Sequence, residues 1–322
     1  MDPAHRPEIS VLPHAGGPAV RPAGPRITNE AFYQAIVAAG RAPSAYNAQP
    51  WRWRVTGGQV DLYADHDRMS RFADPEGRLT VISCGAALHH ARLTLAARGW
   101  RVTVTRLPDT GDPDHLARLC IDGEAPVSPD TAELARLIEE RHTDLRPVTG
   151  DPIEEADTRT VAVAFETQHV GLAVLRPDQI LELASATAPD GDTVPDGAQW
   201  HTALAEWAGT HKIAGGPRLS VTSGEHDRAA TFAVIHGPDD EPLSWLHAGE
   251  ALSAGSLVAA GLGVSILPFS APIAGVAAAS ALRRAVPDVG HPHLMVRLAR
   301  YATEPKAQHT TRRPAEESID RP

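Results

Sequence analysis

The stretch "APSAYNAQPWRWRV", Ala42 to Val55, decides how the rest of the chain is read. It crowds a Pro-Ser turn, Asn47, Gln49 and the pair Pro50-Trp51 into a few positions, then passes directly into strand-like alternation. Proline fixes one backbone angle, and Ser and Asn side chains readily bond their own backbone, so this is a constrained loop rather than a slack connection. By residue type alone Ser44 and Asn47 are either satisfied turn residues or short polar groups offered to a ligand. Trp51 reads as core.

Working outward, a helix is expected from about Asn29 to Ala39, with Phe32, Ile36 and Val37 on one face and Gly40 as its stop. Downstream, "WRWRV" and "VDLY" flank Gly57-Gly58, a strong hairpin signal. A long helix from about Leu79 to Arg98 ends at Gly99, and "WRVTVTRL" returns to strand alternation. Ser128 followed by Pro129 has N-cap and first-turn chemistry for the helix "DTAELARLIEERH", whose apolar face is Leu134, Leu137 and Ile138. That helix delivers "RHTDLRPV". Strand-like runs "HVGLAVL" and "ATFAVIHG", a small-residue helix from about Leu243 to Ala260 and the strand "HLMVRLAR" complete an α+β pattern.

Composition narrows the classes of function. The 322 residues, 42% hydrophobic, are enough to bury a large core. A net charge of −10 argues against nucleic acid as the main partner, while leaving room for a local pocket that takes one phosphate. No apolar run approaches the roughly 20 residues that cross a bilayer, and "MDPAHRPEIS" lacks the signal-peptide pattern, so a cytoplasmic location is expected. Cys84 and Cys120 read as buried thiols. His89-His90 and "HPH" at His291 to His293 lack metal-ligand spacing, and "SAGSLVAAG" lacks the spacing of a nucleophile elbow.

An internal repeat sets the organisation. "CGAALHHARLTLAARGW", Cys84 to Trp100, aligns without a gap on "AGEALSAGSLVAAGLGV", Ala248 to Val264, so that Gly85 falls on Gly249, Leu88 on Leu252, Leu93 on Leu257 and Gly99 on Gly263. Two related halves packed about a pseudo-twofold axis are therefore expected: residues 27–127 and 128–301, between a Pro/Gly-rich arm (1–26) and a polar tail (302–322).

The Pro-Ser loop, with Pro43, Ser44, Asn47, Gln49, Pro50 and Trp51 at the family spacing, resembles the signature loop of the FMN-dependent nitroreductase family. "RHTDLRPV" is similar to that family's Arg-x-Ser/Thr phosphate motif. The order of the two motifs, each present once, resembles the Acg-type branch, in which two nitroreductase-like halves are fused; the resemblance covers about Ile27 to Arg300. It implies a nitroreductase-like fold, one FMN bound between the halves, and a monomer acting as an intramolecular pseudo-dimer.

The same resemblance assigns cofactor contacts to Pro43, Ser44, Asn47, Gln49, Arg141, His142 and Thr143, with Gln49 either touching the ring or supporting the loop. It adds Leu267 and Pro268 in "GLGVSILP" near the flavin ring, and Arg283 in "LRRAV" as second cation, with Arg284 the alternative. No catalytic side chain is assigned, because the flavin ring itself carries hydride. Where the family has a basic residue two places after the Ser/Thr, this chain has Leu145, and Arg146 is a candidate replacement. The activity implied is hydride transfer from NADH or NADPH through FMN to a nitroaromatic, quinone or related small acceptor. The alternative is an FMN-sequestering protein, with the insertion Ala186 to Trp207 as lid; a module that has lost its cofactor is a third reading.

Overall fold

In the computed structural model the described residues are 8–11, 25–69, 74–144, 148, 151–186, 229–269, 280, 282–284, 286–287, 289–301 and 310–320. They form two compact units, one of Met1–Arg141, Glu241–Leu257 and Thr310–Pro322, the other of His142–Asp240 and Val258–His309.

The first unit runs β1 (Glu8–Val11), α1 (Pro25–Ala39), β2 (Trp51–Thr56), β3 (Gln59–Ala64), α2 (Arg78–Ala97), β4 (Trp100–Arg106), β5 (His115–Glu124) and α3 (Pro129–Glu140). Its strands make one antiparallel sheet in the order β1-β4-β5-β3-β2. The β2–β3 hairpin closes through two glycines with φ of 56° and 90°, the left-handed pair that matches strand twist. Asp74 starts α2 by accepting the backbone N–H groups of Leu79 and Thr80 at 2.9 and 2.8 Å, which satisfies two donors that a helix leaves open. Ser128 caps α3, accepting the Thr131 N–H at 3.1 Å, with Pro129 in the first turn. Phe32, Ile36, Trp51, Trp53, Leu88 and Leu119 are among the residues that fill the core between sheet and helices.

The second unit holds α4 (Glu155–Glu166), β6 (Gly171–Val174), α5 (Pro177–Ala186) and β7 (Thr231–Gly237). Next comes α6 (Pro242–Gly261), whose residues up to Leu257 belong to the first unit, and then β8 (Ser265–Phe269) and β9 (His291–Ala299). The antiparallel sheet order is β6-β7-β9-β8, over a core that includes Phe232, Val234, Leu267, Phe269, Leu282 and Met295. The two sheets share one connectivity. Four strands of the first, β2-β3-β5-β4, have the sequence order of β6-β7-β9-β8, and a 20-residue helix (α2 or α6) joins the second strand to the third-numbered one in each.

Within the first unit α2 and α6 cross at Gly85 and Gly249. A Cβ on Gly85 would lie 2.1 Å from the Leu246 carbonyl oxygen, and one on Gly249 would lie 1.9 Å from the Ile82 carbonyl oxygen. Each glycine thus meets the carbonyl three residues before the other, and only a residue without a side chain permits that approach. Beside this crossing Glu250, fully buried, accepts from Arg106 Nε at 2.7 Å and Nη2 at 3.1 Å and pairs with Arg92. Burial raises the carboxyl pKa, and Arg92, Arg106 and His247 more than reverse this, leaving it at about 2.

The structure differs from the sequence expectation in several places. The Pro/Gly-rich arm contains β1, which pairs with β4 at the sheet edge. Strand β5 and helices α4 and α5 lie where no element was expected, and "SILP", expected within a turn, belongs to strand β8. Helix α3 belongs with the first half's unit, its Leu137 and Ile138 packing on Leu257 of α6. The polar tail returns to the first unit at residues 310–320, where Ile319 bridges Trp53 in parallel. Among the described residues no helix is long and apolar enough to cross a membrane, and no group of three or more His, Cys, Asp or Glu could hold a metal ion.

Candidate functional site

The Pro-Ser loop is held in a conformation that its residues do not prefer. Tyr46, Asn47 and Gln49 have φ of 54°, 54° and 51°, the left-handed region that costs non-glycine residues of order 1–3 kcal/mol. Local bonds impose it. Ser44 Oγ accepts the Gln49 N–H at 3.1 Å, closing the turn on itself. Ser83 of α2 accepts the Ala45 N–H at 3.1 Å while donating to the Leu79 carbonyl at 2.6 Å. Arg68 Nε donates to the Ala48 carbonyl at 2.8 Å. Trp51 and Trp53, fully buried, anchor the exit of the loop in the core.

Two arginines from the far end of the chain grip this loop. Arg312 Nη1 donates to Asn47 Oδ1, and Asn47 Nδ2 donates back to the Thr311 carbonyl at 2.9 Å. Arg313 N–H donates to Gln49 Oε1 at 2.9 Å, and its Nη1 donates to the Gln49 carbonyl at 3.4 Å. Gln49 Nε2 donates to the Asn47 carbonyl at 3.3 Å. Both amide side chains that the resemblance assigned to the cofactor are therefore turned to the C-terminal segment.

The same place collects positive charge. Arg141, at the end of α3, and Arg312 both donate to the Arg41 carbonyl, at 3.4 and 3.3 Å. Burial, then Arg312, pushes the Arg141 guanidinium down to about 10 from 12.5. Burial and Arg41 push Arg312 down as well. His90, fully buried with Nδ1 3.2 Å from the Ala38 carbonyl, lies well below its ordinary value through burial first and Arg141 next. Arg41 itself pairs with Glu139 at 2.7 Å on the exposed side. Convergent guanidiniums in a desolvated place are the arrangement that an oxyanion of more than one charge relieves.

The other assigned residues lie in the second unit. His142 and Thr143 are half-buried. The next residue, Asp144, donates its N–H to Ser265 Oγ at 3.1 Å, and its carbonyl accepts from Arg297 Nη2 and the Tyr301 hydroxyl, each at 3.2 Å. Leu267 is buried in that unit's core and Pro268 is half-buried, both on β8. Arg283 is exposed, as is its neighbour Arg284, 3.8 Å from Glu182. Leu145, Arg146 and residues 187–207 of the expected lid lie outside the described residues. The cation that sequence reasoning missed is Arg312. Its one local signal was "TTRRP", two arginines before a proline in a stretch read as tail.

No family profile matches the sequence. Individual relatives do. The Mycobacterium tuberculosis H37Rv protein named "Putative NAD(P)H nitroreductase Rv3131" is 32% identical over 310 residues, spanning 85% of this chain and 88% of the relative. The protein of the same strain named "Putative NAD(P)H nitroreductase acg" is 32% identical over 224 residues, 67% of each. Among solved structures, the Bacillus subtilis protein named "putative nitroreductase ydfN" superposes with a TM-score of 0.37 at 15% identity, over 59% of this chain and 99% of that one. The extent and identity of the first match place the chain in the nitroreductase family.

Proposed function

We propose that the chain is an NAD(P)H-dependent flavin oxidoreductase that binds FMN at the Pro-Ser loop and passes reducing equivalents to a nitroaromatic, quinone or related small acceptor. The observation that carries this reading is the convergence of Arg141 and Arg312 on the Arg41 carbonyl, beside the loop that carries the family resemblance. Flavin supplies the hydride chemistry when bound; the side chains bind, orient and shield.

Arg141 and Arg312 take the phosphate, a near-dianion whose oxygens match the forked donors of guanidinium groups. The bound anion would offset the repulsion between the buried Arg141 and the half-buried Arg312. Ser44, whose oxygen accepts the Gln49 N–H, keeps its hydroxyl proton to donate to a ligand. Asn47 and Gln49 act through the segment they hold, Asn47 aiming Arg312 and Gln49 fixing Arg313. Pro43 sets the loop's entry. For His142, Thr143, Leu267, Pro268 and Arg283 the cofactor role rests on the family resemblance alone.

The duplication belongs to the same proposal. The shared strand order and the reciprocal contact of Gly85 and Gly249 support a chain built of two related halves. Such a chain buries internally the surface that a homodimer would bury between subunits, so we propose a cytoplasmic monomer.

A visible spectrum of the purified protein, before and after anaerobic NADPH, tests the reading. A flavin band near one equivalent per chain that bleaches with NADPH is expected. A band that persists with NADPH but bleaches with dithionite would replace turnover with sequestration. Absence of any band after soaking in FMN would refute both.

A further inference from the structure

Arg312, half-buried, donates to the same Arg41 carbonyl as Arg141 and so lies close to a second guanidinium, a place that electrostatics disfavours, so something must hold it there. Its side-chain bonds to Asn47 Oδ1 and to the Arg41 carbonyl are two restraints. The rest come from the ten-residue segment to which it belongs. Glu316 accepts from the Tyr33 hydroxyl of α1. Further on, the segment adds itself beside β2. Trp53 N–H donates to the Ser318 carbonyl at 2.7 Å, and Asp320 N–H donates to the Trp53 carbonyl at 2.7 Å. Asp320 then closes on two arginines of that strand, its Oδ2 lying 3.0 Å from Arg52 Nη1 and 3.1 Å from Arg54 Nη2.

We propose that Thr311–Asp320 is a strap that sets the affinity for the flavin phosphate. Arg312 is its working end and the Asp320–Arg52–Arg54 cluster is the latch that keeps the strap closed. The proposal rests on the flavin reading of the site. Asp320 is a positioning residue. It touches β2 and reaches the cofactor only by keeping Arg312 where the repulsion from Arg141 would otherwise displace it. Its carboxylate is only 19% exposed, whereas Arg52 and Arg54 are 41% and 49% exposed, so the latch is a partly screened cluster that salt weakens.

The experiment compares FMN with riboflavin, which lacks the phosphate, by fluorescence titration of the full-length apo-protein and of Asp320→Asn. Opening the latch should weaken FMN by about five- to tenfold, the ceiling that two half-exposed ion pairs set, and leave riboflavin within about twofold. Asp320→Glu should restore most of the FMN preference. As an independent readout, trypsin should cut after Arg312 faster in Asp320→Asn than in the wild type, and FMN should slow that cut in both.

If the wild type prefers FMN and the variant keeps that preference unchanged, the strap is refuted and the flavin reading stands. Equal weakening of FMN and riboflavin would make Asp320 merely structural and refute it also. A wild type that binds neither flavin overturns the reading of the site, and the strap's function falls with it.

Discussion

Replacing Glu250 by glutamine should destabilise the first unit by about 3 kcal/mol at pH 7. Glutamine keeps the shape and the helix propensity and removes only the charge. The magnitude follows from the carboxyl itself, fully buried between Arg92 and Arg106, where its pKa falls from 4.5 to about 2. At ~1.36 kcal/mol per pH unit that fall corresponds to about 3 kcal/mol, within the ~3–5 kcal/mol range found when one member of a buried pair is removed. A depressed carboxyl stabilises the fold above its unfolded value of 4.5 and loses that contribution as pH falls through about 2. The gap between wild type and variant should therefore be constant from pH 7 to about 5 and close progressively toward pH 2. Urea unfolding followed by tryptophan fluorescence reads it, because Trp51 and Trp53 are buried in the same core. A second variant separates charge from packing: Arg92→Met, Arg106→Leu and Glu250→Leu together should recover stability to within about 1 kcal/mol of wild type. A loss below about 1 kcal/mol for Glu250→Gln, or a gap that does not change with pH, would refute the reasoning.

Three further outcomes are expected. Gly249→Ala, which would gain about 1 kcal/mol in an exposed helix, should instead abolish soluble expression or lower the melting temperature sharply, because its Cβ would meet the Ile82 carbonyl at 1.9 Å; circular dichroism melts read this. His89, bonded to Ser253 at 2.8 Å, is held by burial and by Arg92 at a pKa of about 4, below its ordinary 6.5. The unfolded chain therefore takes up a proton first, and stability should fall as pH drops from about 6.5 to 4. His89→Gln should flatten that slope in urea titrations. Arg141→Gln should weaken FMN by roughly 10- to 100-fold, the range for a lost charge-assisted bond, with riboflavin little changed. The same variant should raise the melting temperature of the apo-protein, since it removes a buried guanidinium pushed down to about 10.

What was legible in the sequence was local. Gly57-Gly58 fixed the hairpin because only positive φ closes it. Ser128-Pro129 started α3 because a cap needs an oxygen and a first turn tolerates a missing N–H. Gly85 and Gly249 were legible because the gapless alignment of their helices places one on the other. Strand β5 was missed for a physical reason: its register shifts against both neighbours, between Leu62 and Tyr63 on one side and between Arg101 and Val102 on the other. Irregular pairing of that kind blurs the period of two. Helix α4, "EADTRTVAVAFE", carries β-branched residues that speak for a strand as much as for a helix. The second cation of the candidate site had only the local signal "TTRRP", which does not tie it to the loop. Arg312 meets Asn47 across 265 residues of chain, and nothing in either neighbourhood names the other.

The buried charge beside the glycine crossing distinguishes the two helices that the gapless alignment pairs. Gly85 and Gly249 set the gapless alignment, in which Glu250 corresponds to Ala86 and Arg92 to Ser256. A true repeat of the pair is therefore absent: the carboxylate occurs on α6 alone and its helix-borne cation on α2 alone. If two copies of α6 crossed at their glycines in the same geometry, each Glu250 would face a serine, and a buried carboxylate would lack its guanidinium. Two copies of α2 would set each Arg92 against alanine. Either error leaves uncompensated charge in a fully buried place and costs several kcal/mol, whereas the α2–α6 crossing satisfies both groups at once. Close helix contact is specified by what the two helices share, the glycines; the identity of the partner is specified by what they do not share. On the reading that the chain descends from a paired ancestor, that asymmetry is available only after fusion, because identical subunits cannot carry a glutamate on one side of their axis and an alanine on the other.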